Sequence, residues 1–243
     1  MTQAPPAFAI DPSLEARRIA PIFKQFGRLH LPDFLRPPGA EALAQALDAA
    51  EGWTVSTVGG PSTIDIPLEA FAAADDEARG ALMASAHGEA RGGFHYMFES
   101  LRISDLVEQD ASLPPALVAL YGWLNSEAFL SFARDLSGDP DLAYVDAQGT
   151  RYRAGHYLNE HDDEKPGAGR RLAYVLNLTP AWRSSWGGLL GFVDADGHLA
   201  EAYTPAFNAL NLFRVPQTHL VTQVAAFATA PRTSITGWIR TGR

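Results

Sequence analysis

The sequence predicts an α+β protein in which a helical first half packs on an all-β second half of sandwich or barrel type. Three observations point there. Residues 41–51 and 75–91 are rich in Ala and Leu at helical spacing, with Leu43 and Leu47 four apart. Past Gly138-Asp139-Pro140 the texture turns to short β-branched and aromatic segments separated by turn residues. At 243 residues, 47% hydrophobic and 19% charged, the chain suits one packed core, because neither half looks self-sufficient. The expected organisation is a single domain over 1–243, with 1–137 a mainly helical support and 138–243 the β core.

In order, residues 1–11 read as a loose tail. Asp11-Pro12-Ser13 offers an N-cap and a proline at a first helical position, which predicts a helix to about Gln25. A short strand follows at 27–31, then a break at Pro37-Pro38-Gly39 and a helix over 41–51. Residues 53–58 and 62–66 read as strands around the turn Gly59-Gly60-Pro61. The helix 75–91 ends at Gly92-Gly93, and a strand follows at 94–98. Pro114-Pro115 opens a helical region to about Leu136, with a break near Asn125. Strands are expected at 143–146, 150–154, 156–160, 171–178, 188–193, 208–214, 218–224 and 232–239.

Composition removes several function classes. There is no cysteine, which excludes disulfides, thiolate-bound metals and thiol nucleophiles, so a metal site must use His and carboxylate. The net charge of -9 disfavours a nucleic-acid partner, whose phosphates attract cations. The N-terminus lacks a basic start followed by an apolar run, and no apolar stretch reaches the roughly 20 residues of a membrane helix. A cytoplasmic protein without a membrane partner is the expectation.

The chain contains two His-x-acid pairs, His87-x-Glu89 and His161-x-Asp163. With 7 His and 28 Asp+Glu in 243 residues, about one such pair arises by chance. Their settings separate them. His87 and Glu89 lie inside a predicted helix, where residues two apart point roughly 200° apart and cannot share an ion. His161 and Asp163 leave the end of a predicted strand, where residues two apart share a face. His219, in a later strand, is a candidate third ligand. Two His and one carboxylate leave coordination positions open, an arrangement suited to non-haem Fe(II). A core histidine with satisfied nitrogens is the bland alternative.

From Tyr152 to Trp238 the chain resembles the Fe(II)- and 2-oxoglutarate-dependent dioxygenases, in particular the prolyl-4-hydroxylase-like branch. The matching pieces come in order: Tyr152 with Gly155, His161-x-Asp163, the strand Leu172–Leu178, Trp182, Gly187-Gly188-x-Leu190, Phe207-Asn208, Phe213, His219, and Pro231-Arg232 through Thr236-Gly-Trp238. They span a little over a third of the chain. The resemblance implies a double-stranded β-helix (jelly-roll) core with the helical half packed on it. It implies that His161, Asp163 and His219 hold Fe(II). It implies that Arg232 binds the far carboxylate of 2-oxoglutarate, a role that suits a guanidinium fork. Thr236 matches a hydroxyl donor to that carboxylate, Tyr152 a tyrosine lining the cosubstrate pocket, and Trp238 a tryptophan near the metal.

There are departures. Val175 stands where the family often has a tyrosine against the cosubstrate, and alternation points Tyr174 the other way. The 13 positions from His219 to Arg232 are long, which suggests an extended loop around Phe227.

The activity implied is hydroxylation of an unactivated C–H bond of a prolyl or other amino-acid residue in a protein or peptide. O2 and 2-oxoglutarate are consumed, succinate and CO2 are released, and ascorbate is a possible stimulant. Asp163 favours hydroxylation over a related halogenating class that lacks the carboxylate. Trp238, six after Arg232, stands where a nucleic-acid-demethylating branch carries a second arginine. A free amino acid as substrate, a zinc hydrolase with the same three ligands, and a jelly-roll binding protein without turnover are the alternatives. Arg151, Arg153, Arg170, Arg171 and Arg183 are expected to flank the mouth, where they could hold an acidic substrate. The sequence does not indicate the oligomeric state.

Overall fold

The computed structural model describes residues 7–60 and 62–242. Seven α-helices precede the jelly-roll core among these residues: α1 Ala16–Phe26, α2 Gly39–Ala49, α3 Leu68–Ala73, α4 Asp76–Glu89, α5 Ile103–Glu108, α6 Pro115–Leu124 and α7 Glu127–Ser137. The strands of the first half are β1 Arg28–Leu31, β2 Thr54–Gly59, β3 Ser62–Pro67 and β4 Tyr96–Leu101. Those of the second half are β5 Tyr144–Val145, β6 Gln148–Tyr152, β7 Tyr157–His161, β8 Arg170–Asn177, β9 Leu190–Val193, β10 Leu199–Tyr203, β11 Ala209–Arg214, β12 His219–Val221 and β13 Arg232–Arg240.

Local chemistry sets several boundaries. The Asp75 carboxylate accepts the Ala78 N–H at 2.8 Å and caps α4. The break between α6 and α7 falls at Asn125. Its amide donates to the Tyr121 carbonyl and brackets both backbone groups of Val145, so it ends one helix and ties it to β5. Asp11 accepts from the Ser13 N–H and hydroxyl in a tight turn, and α1 starts later than the sequence predicts. Residues 1–6 lie outside the described residues. Residues 8–11 are not a loose tail, because Phe8 is buried in the core and Ile10 bridges Leu35.

The strands form one antiparallel sheet in the order β1-β11-β8-β13-β6-β4-β7-β12-β9-β10, with β2 and β3 attached through β4 and β5 through β13. Its two ends approach each other: Arg28 of β1 meets Glu201 of β10 at 2.7 Å. The result is a nearly closed barrel. The first half therefore does more than pack helices on the outside. β1 pairs with β11, and β4 sits between β6 and β7, beside the strand that carries His161.

Alternation along β8 and β13 divides the interior from the helical layer. Ala173 and Val175 face inward with Leu190, Phe192 and Phe213. Leu172, Tyr174, Leu176, Ile235 and Ile239 face outward into the main core with α2, α6 and α7. The Tyr174 hydroxyl donates to the Asp146 carbonyl at 2.9 Å, and its ring meets Phe129, so Val175 is the residue whose side chain faces the barrel interior.

The chain just past β5 presses so closely on β13 that a Cβ on Gly237 would stand 2.0 Å from the Asp146 carbonyl oxygen. Gly237→Ala is expected to destabilise the fold by about 3 kcal/mol, since a packed backbone cannot move aside without losing the strand pair. Urea unfolding of this variant against the parent measures the loss. An unchanged midpoint would show that β5 detaches freely.

Candidate active site

The end of β7 and the start of β12 bring the three candidate ligands together. His161 and His219 are direct cross-strand partners, with ring centroids 4.1 Å apart. Asp163 lies beyond the strand, and it reaches the same point because its backbone is left-handed, at φ 64. Simple strand alternation, the geometry expected for His-x-Asp, is therefore replaced by a turn. Aspartate tolerates that conformation better than most residues. Its two carboxylate oxygens stand 3.6 Å from His161 Nε2 and 3.5 Å from His219 Nε2. One donor atom from each residue falls within 4.8 Å of the others.

Both imidazoles are held in the same way. His161 Nδ1 is 2.8 Å from the Asn159 carbonyl, and His219 Nδ1 is 2.8 Å from the Gln217 carbonyl. A carbonyl can only accept, so each Nδ1 carries the proton and each Nε2 lone pair faces Asp163. Burial and the neighbouring His161 push His219 down to about 4, which keeps it neutral and able to donate to a metal at neutral pH. Two neutral imidazoles and a carboxylate, with no thiolate in the chain, make a donor set that suits Fe(II). The decoy behaves differently. His87 bonds the Gly155 carbonyl at 3.0 Å and is half-buried, while Glu89 turns toward Ser85 and His95.

A cavity of about 430 Å³ opens beside the triad. Tyr152, Arg232, Thr236 and Trp238 all line it. Arg232 is 1% exposed, and its Nε and Nη1 have no hydrogen-bond partner within the protein. It pairs in register with Tyr152, and its guanidinium sits 5.1 Å from that ring. Burial lowers the Arg232 pKa, and among the described residues no carboxylate offsets this. A buried cation without a counter-ion is costly, so the cavity is built for an anion. Gly188 supports this arrangement: at φ 61 it lies with its missing Cβ 3.4 Å from Arg232 Cδ. The long connection between His219 and Arg232 is a loop that carries Phe227 into solvent.

The five arginines do not form a free cationic rim. Arg151 and Arg153 both bond Glu99, and Arg151 also stacks on Trp53. Arg171 faces Asp139 at 3.7 Å, and Arg183 leans toward Trp186. Of these five only Arg170 lines the cavity, and it is committed to the site itself. It donates to the Asp163 carbonyl at 3.1 Å and stacks on Trp238, 3.4 Å from the ring centroid. Its support of the left-handed Asp163 was not legible in the sequence, nor were the two carbonyls that orient the histidines. A backbone oxygen leaves no trace in residue type.

A second histidine has a consequence for stability. Burial pushes His156 down to about 4, and its Nδ1 has no partner. The unfolded chain binds this proton near pH 6.5. Stability from the neutral ring is thus complete above about pH 6.5 and is lost as pH falls toward 4, by about 3 kcal/mol at most. His219 adds to the same limb in metal-free protein. Unfolding free energies measured across this window should fall more shallowly in His156→Gln than in the parent. Parallel curves would contradict a neutral His156.

The chain is similar to several known proteins. A profile of the 2OG-Fe(II) oxygenase superfamily matches residues 147–240. Mouse prolyl 3-hydroxylase OGFOD1 is 34% identical over 119 residues, which is 46% of this chain and 21% of that protein. The Xenopus laevis prolyl 3-hydroxylase OGFOD1 is 34% identical over 101 residues, 39% of this chain and 19% of that protein. The chain thus spans about a fifth of the length of these curated relatives. A prolyl-4-hydroxylase from Pseudomonas putida superposes with a TM-score of 0.57 at 16% identity, over 93% of this chain and 98% of that one. A Trichoplax adhaerens prolyl hydroxylase, solved with a peptide fragment of the hypoxia inducible factor oxygen degradation domain, gives 0.64 at 14% identity over 93% and 89%. These structures share the double-stranded β-helix fold.

Proposed function

We propose that this chain, whose residues 147–240 match a profile of the 2OG-Fe(II) oxygenase superfamily, is an oxygenase of prolyl-hydroxylase-like type that hydroxylates a prolyl residue of a protein or peptide substrate. The family's metal and cosubstrate are Fe(II) and 2-oxoglutarate. Bound together they supply the activation of O2 that no side chain here can perform.

The residues take the following roles. His161, Asp163 and His219 hold the metal, with both imidazoles locked in the Nε2-donating tautomer. Arg232 receives the far carboxylate of 2-oxoglutarate through charge-assisted hydrogen bonds, and Thr236, two strand steps away on the same face, adds a hydroxyl. Tyr152 walls the pocket beneath the guanidinium. Trp238 and Arg170 brace the backbone of Asp163. The observation that carries the reading is Arg232, buried and unpaired in the same cavity as the triad. A zinc hydrolase with these ligands has no use for it.

The same reading treats the chain as one catalytic unit, with 1–137 supporting a core at 138–243. The pairing of β1 and β4 into the core sheet supports this. No helix of the described residues is long and apolar enough to cross a membrane, and a cytoplasmic site of action fits that. Incubation with Fe(II), ascorbate, 2-oxoglutarate and short proline-containing peptides tests the proposal. Succinate release coupled to a +16 Da product on proline is expected. Oxidation of free amino acids alone, or no succinate with tightly held zinc, would overturn it.

A further inference from the structure

Phe94 is an exposed aromatic ring placed against a metal ligand. It is 52% exposed and packs into none of the buried clusters. Its ring lies 5.4 Å from His161 and 5.8 Å from Tyr96. It also lines two cavities at once: the triad cavity, and a larger groove of about 880 Å³ on the outer side of β7 and β12. Leu158 and Val221 also line both, but Phe94 is the exposed one of the three, so it stands as a ridge on the boundary between groove and triad cavity.

Beyond the pairing of β4 with β7, the ridge is fastened to the metal strand by Asn159. Asn159 donates from its side-chain amide to the Ala90 and Gly93 carbonyls, at 3.2 and 3.1 Å. Its N–H binds the His95 carbonyl at 3.0 Å, and its own carbonyl orients His161 at 2.8 Å. The segment on both sides of Phe94 is therefore held by the residue that sets the metal-ligand tautomer. An apolar ring left half in water, yet positioned this firmly, is a binding feature rather than leftover core.

We infer that Phe94 is the platform on which the substrate peptide crosses into the active site, its π face receiving a proline ring next to or at the oxidised position. This rests on the prolyl reading above. Pyrrolidine rings are compact, apolar and already restricted, so packing them on an aromatic ridge orders little else. The groove beyond takes the flanking peptide. Phe94 is a specificity-determining residue.

Short capped peptides with a central proline serve as the probe, with product followed by mass. For peptides that the parent protein oxidises, Phe94→Ala is expected to raise the peptide KM about tenfold or more, while the KM for 2-oxoglutarate holds. Phe94→Tyr, which keeps the π face, should stay within about threefold of the parent. An unchanged peptide KM in Phe94→Ala overturns this inference alone. So does a matching rise in the 2-oxoglutarate KM, which would make Phe94 a prop for His161. A parent protein that releases succinate but oxidises no peptide overturns the prolyl reading, and this inference with it.

Discussion

Replacing Arg232 with methionine is expected to raise the KM for 2-oxoglutarate by about a hundredfold or more, with Fe(II) binding retained. The size follows from the setting. The guanidinium is 1% exposed, and its Nε and Nη1 have no partner in the protein. A carboxylate that fills this position makes charge-assisted bonds in a cavity with little competing water, and loss of one such buried partner is worth about 2–5 kcal/mol. The same substitution has an opposite effect on the protein without ligand. Methionine removes an uncompensated buried cation, so the apoprotein should gain about 1–3 kcal/mol of stability. Thermal unfolding with and without 2-oxoglutarate separates the two. The parent should be stabilised by the ligand, and Arg232→Met should start higher and respond little. A variant that is both less stable and still ligand-responsive would mean that Arg232 is structural.

Removing the Asp163 carboxylate should lower Fe(II) affinity by more than about a hundredfold, because the remaining imidazoles supply neither charge nor a third donor. The left-handed backbone of Asp163 separates ligation from folding. Asp163→Gly suits φ 64 and should fold at least as well as the parent, yet bind metal weakly. Asp163→Ala meets backbone strain as well, of about 1 kcal/mol. Metal titrations and unfolding curves on the pair should show equal loss of metal with unequal stability. Retained metal in Asp163→Gly would remove the carboxylate from the ligand set.

Much of the site was legible because its residue types are scarce or costly to bury. With 7 His and no cysteine, few donor sets were available, and Arg232 matches the family pattern despite the long interval of 13 from His219. Strand alternation points Tyr174 away from Val175, and Tyr174 packs in the main core while Val175 packs with the interior cluster. What was not legible depends on pairing across long distances or on backbone conformation. Arg151 and Arg153 read as mouth residues from their neighbours in sequence, but their partner Glu99 is more than fifty positions away. Asp163 reaches the metal position through a turn that no side-chain pattern announces. The helices α3 and α5 were missed because six residues carry less than two helical turns of pattern. β10 was missed because four of its five residues are exposed, so it lacks an apolar alternation. β4 starts two residues and ends three residues later than expected, and its alternation places Tyr96, Phe98 and Ser100 along the cavity wall.

The central claim is that one cavity binds Fe(II) through His161, Asp163 and His219, and 2-oxoglutarate through that metal and Arg232. Anaerobic titration of the Fe(II)-loaded protein with 2-oxoglutarate tests it most directly, by the visible charge-transfer absorption that appears when a keto acid chelates ferrous iron. The parent protein should give a saturable band, Arg232→Met should need about a hundredfold more ligand, and Asp163→Gly should give none. A parent protein that retains Fe(II) but shows no band, or an Arg232→Met variant that titrates like the parent, would contradict the account.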